Sequence, residues 1–321
     1  MKLLYALSPS SEANLRLLRF LKAIIGQNHT IKIAAYRSSI GFIKADWTLD
    51  ALHDPHNLEF YPLDSETLKL YRKQVEYFAP DLILSDMEIF TAEVAISIGI
   101  PFRLIGSWLM HFGMMQDGMR LRHATARYPV LAPSNPNIKR LSYLTHNAEC
   151  NLVYSHLCDL SEAPILKSNF FWVRPYHCRG NTNPLCQHNL IGVSAWGHKP
   201  LVHYLQEHGN DNVFFTHLTH EKFDLPIKDL NSETEYACNL ANCRAVVCRG
   251  EPDILADAYY NGRAVALLPD FTDPATLYGM AITEKYQLGQ VLYDTEITPE
   301  LPEFTIPTLN QKVGYMHQML S

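Results

Sequence analysis

The fold of this chain is decided at residues 248–273, which read CRGEPDILADAYYNGRAVALLPDFTD. The apolar run at 245–248 predicts a buried strand, and Gly250 marks a tight turn. A helix start is indicated by Glu251-Pro252-Asp253, because proline and acidic side chains are favoured in the first turn. Gly262 closes this helix, and 265–268 is the next strand. The stretch is therefore a strand–helix–strand unit, and its helix N-terminus presents backbone N–H groups that suit a phosphate or diphosphate.

The same alternation of strands and helices runs through both halves of the chain, with a helix expected at 65–78, for example. Residues 177–188 interrupt it; they are rich in Gly, Asn, Pro and Cys and predict a linker. Strands separated by helices predict an α/β fold with doubly wound parallel sheets. Ligands of such sheets bind beyond the carboxyl ends of the strands. In the first half these ends are expected at 8–12, 36–39, 86–88 and 106–108.

Composition bounds the class of protein. The chain has 321 residues, of which 47% are hydrophobic and 19% charged, which suits two ordinary globular domains. The apolar run at the N-terminus ends at Ser8, so it does not have the architecture of a signal peptide, and no run predicts a membrane helix. Seven widely spaced cysteines without a Cys-Xaa-Xaa-Cys pair predict a reduced, cytoplasmic protein. The last three, Cys238, Cys243 and Cys248, are expected to be small buried residues.

Charge is distributed unevenly. Residues 1–176 carry 18 Lys and Arg against 16 Asp and Glu, whereas the remainder carries 9 against 17, so the net charges are +2 and −8. Six basic residues and one acid fall within 101–140. This stretch is either an ordinary solvated face or a docking surface for an anionic acceptor, and the sequence leaves both open.

The spacing within 248–273 resembles the donor-site signature of nucleotide-sugar glycosyltransferases with the two-domain GT-B fold, the UDP-glycosyltransferase and MurG-like group. That signature is His-Gly-Gly, a Ser or Thr three residues later, an acid three beyond it, a Gly-Xaa-Pro turn, a strand ending in Pro, then Asp-Gln. The matching positions here are Arg249-Gly250-Glu251, Ile254, Asp257, Gly262-Arg263-Ala264, Pro269 and Asp273-Pro274. The spacing is kept, but His, the second Gly, the hydroxyl residue and Gln are replaced by Arg249, Glu251, Ile254 and Pro274.

The resemblance implies two Rossmann-like domains facing across a cleft. It places an acceptor-binding domain at 1–176, the linker at 177–188, a donor-binding domain at 189–306, and a C-terminal helix at 307–321 that packs back on the first domain. The run 170–176 resembles the exit from the first domain into the linker. It also implies a metal-independent, inverting transfer of a hexose from a nucleoside-diphosphate sugar such as a UDP-sugar, with no bound cofactor. The residues expected at the donor are Ser194, Trp196, Arg249, Gly250, Glu251, Asp253, Ile254, Asp257 and Asp273.

Inverting transfer requires one base to take the proton of the acceptor hydroxyl. Asp86 ranks first, because it ends a buried strand at the cleft; Glu88 beside it is an orienting or second acid. Glu12 in the first strand-to-helix loop ranks second, although an acid in the first turn of a helix is also common. The residues expected at the acceptor are Arg103, His111, Arg120 and Arg122, and His111 is a further, weaker base candidate.

Three alternatives remain open at this stage. The acceptor is either double-stranded DNA that carries a 5-hydroxymethylpyrimidine, as in phage-type enzymes of this architecture, or a small metabolite or lipid-linked sugar. A different enzyme class with two such domains is the UDP-sugar 2-epimerase type. The departures from the donor signature also allow a sugar-nucleotide-binding subunit without catalytic activity.

Overall fold

A computed structural model of the chain describes residues 1–8, 11–24, 27–36, 65–115, 131–159, 163–175, 189–192, 212–216, 227–229, 233–267, 274–291 and 314–315. These residues form two parallel sheets with helices between the strands. No described helix has the length and apolar character needed to cross a membrane. The predicted fold, two Rossmann-like α/β domains, is confirmed.

Six strands of the first domain, joined by a seventh near the C-terminus, make the first sheet. Its order is β13-β6-β5-β4-β3-β1-β2, and all neighbours are parallel. The strands are β1 (Lys2–Leu7), β2 (Thr30–Ala34), β3 (Leu82–Asp86), β4 (Phe102–Gly106), β5 (Cys150–Tyr154), β6 (Phe170–Arg174) and, after the second sheet in chain order, β13 (Gly314–Tyr315). The order reverses between β1 and β3, and doubly wound sheets bind ligands at the carboxyl side of such a switch point.

The second sheet has the order β12-β11-β10-β7-β8-β9, again with parallel neighbours. Its strands are β7 (Asn189–Gly192), β8 (Asn212–Thr216), β9 (Ile227–Asp229), β10 (Ala245–Cys248), β11 (Ala264–Leu267) and β12 (Gln290–Val291). Here the order reverses between β7 and β10. The turn singled out in the sequence follows β10, so it lies at the switch point of this sheet.

Helices cover the sheets and place the side chains of the site. In the described ranges they are α1 (Ser11–Ile24), α2 (Ser65–Phe78), α3 (Ile89–Ile98), the short α4 (Met110–Gly113), α5 (Pro136–Asn147), α6 (Glu233–Asn242), α7 (Pro252–Tyr260) and α8 (Pro274–Tyr286). Two helices connect the domains: α1 packs on α7, and α8 packs on the 3-10 turn Ser107–Leu109. One buried apolar cluster includes side chains of both domains, so the domains share a core.

The structure corrects three local predictions. The run 170–176, expected to leave the first domain, contributes β6 to its sheet. Residues 314–315, expected within a C-terminal helix, form β13 beside β6, so the described part of the C-terminal segment returns to the first sheet as a strand. Of the cysteines in 238–248, which we expected to be buried together, Cys243 and Cys248 are buried but Cys238 is exposed.

Candidate functional site

The turn after β10 is held by its own residues and by helix α8. Gly250 has a φ of +110°, a conformation that favours glycine. A Cβ added to Gly279 of α8 would lie 2.1 Å from the Gly250 carbonyl oxygen, so the helix and the turn touch through their backbones. The Glu251 carboxylate accepts hydrogen bonds from the backbone N–H groups of Arg249, at 2.9 Å, and Gly250, at 3.1 Å. The Gly250 N–H is one of the backbone groups expected to bind the diphosphate, and here an internal carboxylate binds it.

Helix α7, which follows this turn, is buried along its whole length. Asp253 and Asp257 are one helical turn apart and therefore share a face. That face lies against α1, whose Arg16 and Arg19 are three residues apart. Arg19 Nη2 is 2.5 Å from Asp257 Oδ2 and Arg19 Nη1 is 3.4 Å from Asp253 Oδ1, while Arg16 Nη1 is 3.3 Å from Asp253 Oδ2. The two helices are thus joined by ion pairs between the domains.

Asp86, at the carboxyl end of β3, belongs to the same cluster. Its Oδ2 accepts hydrogen bonds from Arg16 Nε and from the Tyr5 hydroxyl, and its Oδ1 accepts one from Arg16 Nη2, all at 2.7 Å. The carboxylate has no exposed surface. These three donors fix Asp86 as the partner of Arg16, an arrangement that favours a structural role over that of a base open to an acceptor.

Tyr154, at the end of β5, completes what we call the interdomain cluster: Tyr5, Arg16, Arg19, Asp86, Tyr154, Asp253 and Asp257. The Tyr154 hydroxyl donates to Asp253 Oδ1 at 2.5 Å, and the Arg16 guanidinium lies over the Tyr154 ring, 4.8 Å from its centroid. Burial raises the pKa of the Asp253 carboxyl, against the opposing effects of Arg16 and Arg19. Burial also raises the pKa of Tyr154, so its hydroxyl stays protonated and donates the hydrogen bond to Asp253.

The interdomain cluster brings together the carboxyl ends of both sheets. Arg16 follows β1 and Asp86 ends β3, on either side of the first switch point. Asp253 follows β10, on one side of the second switch point. Two guanidinium groups and three carboxylates are buried where ligands of such sheets bind. Because buried charges are stabilised only by close partners, this arrangement makes each member depend on the others.

Glu88 caps helix α3. Its carboxylate accepts hydrogen bonds from the backbone N–H groups of Phe90, at 3.1 Å, and Thr91, at 2.7 Å, and from the Tyr36 hydroxyl at 3.1 Å. Burial raises the pKa of the Glu88 carboxyl, and these hydrogen bonds partly oppose the shift. The geometry favours a capping role for this residue.

Glu12 is the second residue of α1, at the carboxyl end of β1, but its side chain lies outside the described residues. Ser194, Trp196, Asp273, Arg120 and Arg122 lie outside the described residues altogether. The predictions made for these six residues therefore remain predictions.

His111 forms a second polar contact between the domains. Its Nδ1 is 2.7 Å from the Tyr278 hydroxyl of α8, and the two rings meet edge to face. This contact joins the two domains, and the acceptor-side role of His111 stays a prediction. Arg103, by contrast, pairs with the Glu149 carboxylate at 3.3 Å. The equally basic Arg140 pairs with Glu93 at 2.6 Å, so both of these arginines already have carboxylate partners.

The remaining donor-side predictions fall on buried positions. Ile254 lies in the apolar core, where the signature expects a hydroxyl, and Arg249 is only 4% exposed. Among the described residues, no group of three His, Cys, Asp or Glu side chains could hold a metal ion. Metal independence stays a prediction.

Sequence reasoning missed Arg16, Arg19, Tyr154 and Tyr278. The available signal was a pair of arginines three residues apart on the side of α1 that also carries Leu17 and Phe20, which are buried. A charge on the apolar side of a helix needs a buried partner. Asp86 of β3 and the two acids of α7, which are four residues apart, supply these partners.

No protein-family model matches this chain, and no curated protein matches it in sequence. Solved structures do match over nearly its whole length. The spinosyn rhamnosyltransferase SpnG, solved with thymidine diphosphate, is 14% identical with a TM-score of 0.55, covering 92% of this chain and 87% of that one. SsfS6, a glycosyltransferase of Streptomyces sp. SF2575, is 13% identical with a TM-score of 0.55, covering 91% and 87%.

A plant protein matches equally well in structure. Phytolacca americana UGT2, solved with UDP-2fluoro-glucose and pterostilbene, is 9% identical with a TM-score of 0.56, covering 90% of this chain and 85% of that one. Identities this low show a common fold and nothing finer. The chain therefore has the two-domain GT-B fold of these glycosyltransferases.

Proposed function

We propose that this protein binds a nucleoside-diphosphate sugar between its two domains and transfers the hexose to an acceptor hydroxyl. The observation that carries the proposal is the meeting of the two switch points, where Arg16, which is paired with Asp86 at the end of β3, also contacts Asp253 beyond the second sheet. A ligand bound there touches both domains, which is what a reaction between two substrates requires. Thymidine diphosphate in SpnG and UDP-2fluoro-glucose in UGT2 support a pyrimidine nucleotide in the donor, with UDP the first candidate.

The reaction we propose is a single displacement with inversion. The acceptor oxygen attacks the anomeric carbon, the bond from that carbon to the diphosphate breaks, and its electron pair leaves with the nucleoside diphosphate. A base takes the acceptor proton. Because Asp86 and Glu88 are committed to Arg16 and to the start of α3, we propose Glu12 as the base. The departing diphosphate is stabilised by basic side chains, with no bound metal or cofactor.

For the acceptor we propose a small molecule, the class to which pterostilbene in the UGT2 complex belongs. The pairing of Arg103 and Arg140 with carboxylates supports this choice, because DNA binding needs basic side chains that are available to phosphates. DNA with hydroxymethylated pyrimidines and lipid-linked sugars are the competing acceptors.

The test starts with the donor. Thermal shift with UDP, dTDP and their hexose conjugates identifies the nucleotide, and mass spectrometry then follows transfer to phenols, to lipid-linked sugars and to hydroxymethylcytosine-containing DNA. We expect a mass gain of one hexose on a small acceptor, and its loss in Glu12→Gln at unchanged donor affinity. A mass gain on DNA alone would overturn the acceptor proposal. Interconversion of UDP-sugars without an acceptor would indicate an epimerase.

A second candidate function is a sugar-nucleotide-binding subunit that does not turn over. The specific observation in its favour is the Glu251 carboxylate on the N–H groups of Arg249 and Gly250, where the signature has glycine and a diphosphate is expected. Tight donor binding without product on any acceptor would support this candidate over the enzyme. Release of Glu251 from these N–H groups on donor binding, seen as altered hydrogen exchange at 249–251, is expected for the enzyme.

A further inference from the structure

The two arginines of the interdomain cluster contact its three carboxylates at unequal distances. Asp86 meets Arg16 through two contacts of 2.7 Å, and Asp257 meets Arg19 at 2.5 Å. Asp253 lies between the two guanidinium groups but is 3.3 Å from one and 3.4 Å from the other. Charge-assisted hydrogen bonds weaken as they lengthen beyond about 2.9 Å, so Asp253 is the carboxylate that the arginines hold least firmly. Its shortest contact is instead the hydrogen bond that the Tyr154 hydroxyl donates to Oδ1 at 2.5 Å, and an anion that replaces Asp253 must also break this bond.

From this geometry we infer that Arg16 and Arg19 are the diphosphate-binding residues of the cleft, and that an incoming diphosphate replaces Asp253 between them. The inference rests on the proposed function for the identity of the natural ligand. A diphosphate carries more negative charge than one carboxylate and accepts paired hydrogen bonds from a guanidinium group. Asp86 and Asp257 stay bound and keep both arginines in place.

The exchange has a consequence for the domain contact. Asp253 belongs to the second domain and both arginines belong to the first, so Asp253 closes the cleft across α1 and α7. Replacing its carboxylate by the ligand lets the start of α7 move away from α1, while the pair of Arg19 with Asp257 remains. In this structure an internal anion therefore joins the two domains at the position that we assign to the diphosphate.

Calorimetry with inorganic diphosphate at fixed pH and ionic strength tests the exchange, because this probe carries neither nucleoside nor sugar. Asp253→Asn keeps the shape of the side chain and removes its charge. We expect it to bind diphosphate at least about tenfold more tightly than the unmodified protein, which corresponds to about 1.4 kcal/mol. In Arg72→Gln, where the altered arginine forms an exposed pair with Glu76, affinity should not change.

A second variant separates the arginines from general charge effects. Arg19→Gln combined with Asp257→Asn removes one guanidinium together with its partner, so no buried charge is left alone. Added to Asp253→Asn, this pair of changes should abolish the gain in affinity. A gain that persists in the combined variant, or an Asp253→Asn protein that unfolds cooperatively and binds no more tightly, would overturn the inference.

The unmodified protein supplies a measurement that depends on no variant. Saturating diphosphate should change amide hydrogen exchange in α1 and at the start of α7. Unchanged hydrogen exchange in both segments would refute the replacement of Asp253 by the ligand. The proposed sugar transfer and the proposed replacement of Asp253 by diphosphate can be refuted independently. Hexose transfer with no effect of Asp253→Asn on diphosphate affinity leaves the function standing without the exchange. Tight diphosphate binding by Asp253→Asn without any sugar transfer leaves the anion site standing without the enzyme.

Discussion

Replacing Asp86 by Asn separates its two possible roles, that of a base and that of a partner for a buried arginine. The carboxylate accepts three hydrogen bonds of 2.7 Å, two from Arg16 and one from Tyr5, and has no exposed surface. Asparagine has nearly the same shape but carries an NH₂ group in place of one oxygen. Whichever way the amide turns, a donor then faces a donor of Arg16 or Tyr5, and the guanidinium loses its charged partner.

The expected cost follows from this burial. Breaking a buried ion pair by removing one charge costs about 3–5 kcal/mol, because the other charge stays behind uncompensated. For a domain of the predicted size of the first one, each kcal/mol lowers the melting temperature by about 2–4 °C, so a fall of about 6–20 °C is expected. Because Arg16 also contacts Asp253, the loss should extend to the contact between the domains.

Urea unfolding followed by circular dichroism measures this cost, with Glu76→Gln as the matched control. Glu76 pairs with Arg72 on α2, where the two side chains are 44% and 46% exposed, and its loss should cost less than about 0.5 kcal/mol. Below its melting temperature, Asp86→Asn should still transfer hexose at saturating donor but bind the donor more weakly, because Asp86 keeps Arg16 in place. An Asp86→Asn protein as stable as the control variant would refute the structural role, and loss of transfer at unchanged stability would restore Asp86 as the base.

Three further predictions concern pH, packing and capping. Burial lowers the pKa of His156 from 6.5 to about 4, so the unfolded chain binds more protons between these values and the free energy of unfolding should fall by about 3 kcal/mol as the pH drops through them. His156→Phe should remove this part of the pH slope in urea titrations; an unaltered slope contradicts the assignment. Gly279→Ala should cost about 1–3 kcal/mol, because its Cβ would meet the Gly250 carbonyl oxygen. Hydrogen exchange at 249–251 should accelerate, and unchanged protection there would count against the packing argument. Glu88→Ala should cost about 0.5–2 kcal/mol in thermal unfolding by leaving N–H groups of α3 without a cap. Glu88→Gln should transfer hexose normally, and its inactivity in a folded protein would return Glu88 to the base candidates.

Most of the described strands and helices follow from the sequence, because their periodicity is local. The helix Ser65–Phe78 and the strand Ala245–Cys248 begin and end where the sequence predicts. The strand Ile227–Asp229 is too short to show a pattern, and Phe170–Arg174 was predicted as an exit from the domain. An apolar run predicts a strand, but its place in a sheet depends on partners distant in the chain.

In the candidate site, too, some features follow from the local sequence and others depend on residues distant in the chain. The glycine turn at Gly250 and the buried helix after it follow from residue types and spacing, and both lie at the predicted edge of the sheet. The partners of Asp253 and Asp257 cannot be predicted from spacing, because Arg16 is 237 residues from Asp253 and Arg19 is 238 residues from Asp257 in the chain. Asp86 illustrates the consequence: from its position alone it suits a base, whereas its contacts make it the partner of Arg16.

By itself the sequence determined the α/β class, the division into two alternating halves and the turn at 249–251, since each depends on short-range preferences of the backbone and on apolar periodicity. Only the tertiary structure decided what the charged residues of the cleft do. Whether a carboxylate is a base, a cap or half of an ion pair depends on which groups surround it once water is removed. Here folding brings α1 against α7 and buries two arginines with three aspartates, and that arrangement joins the two domains.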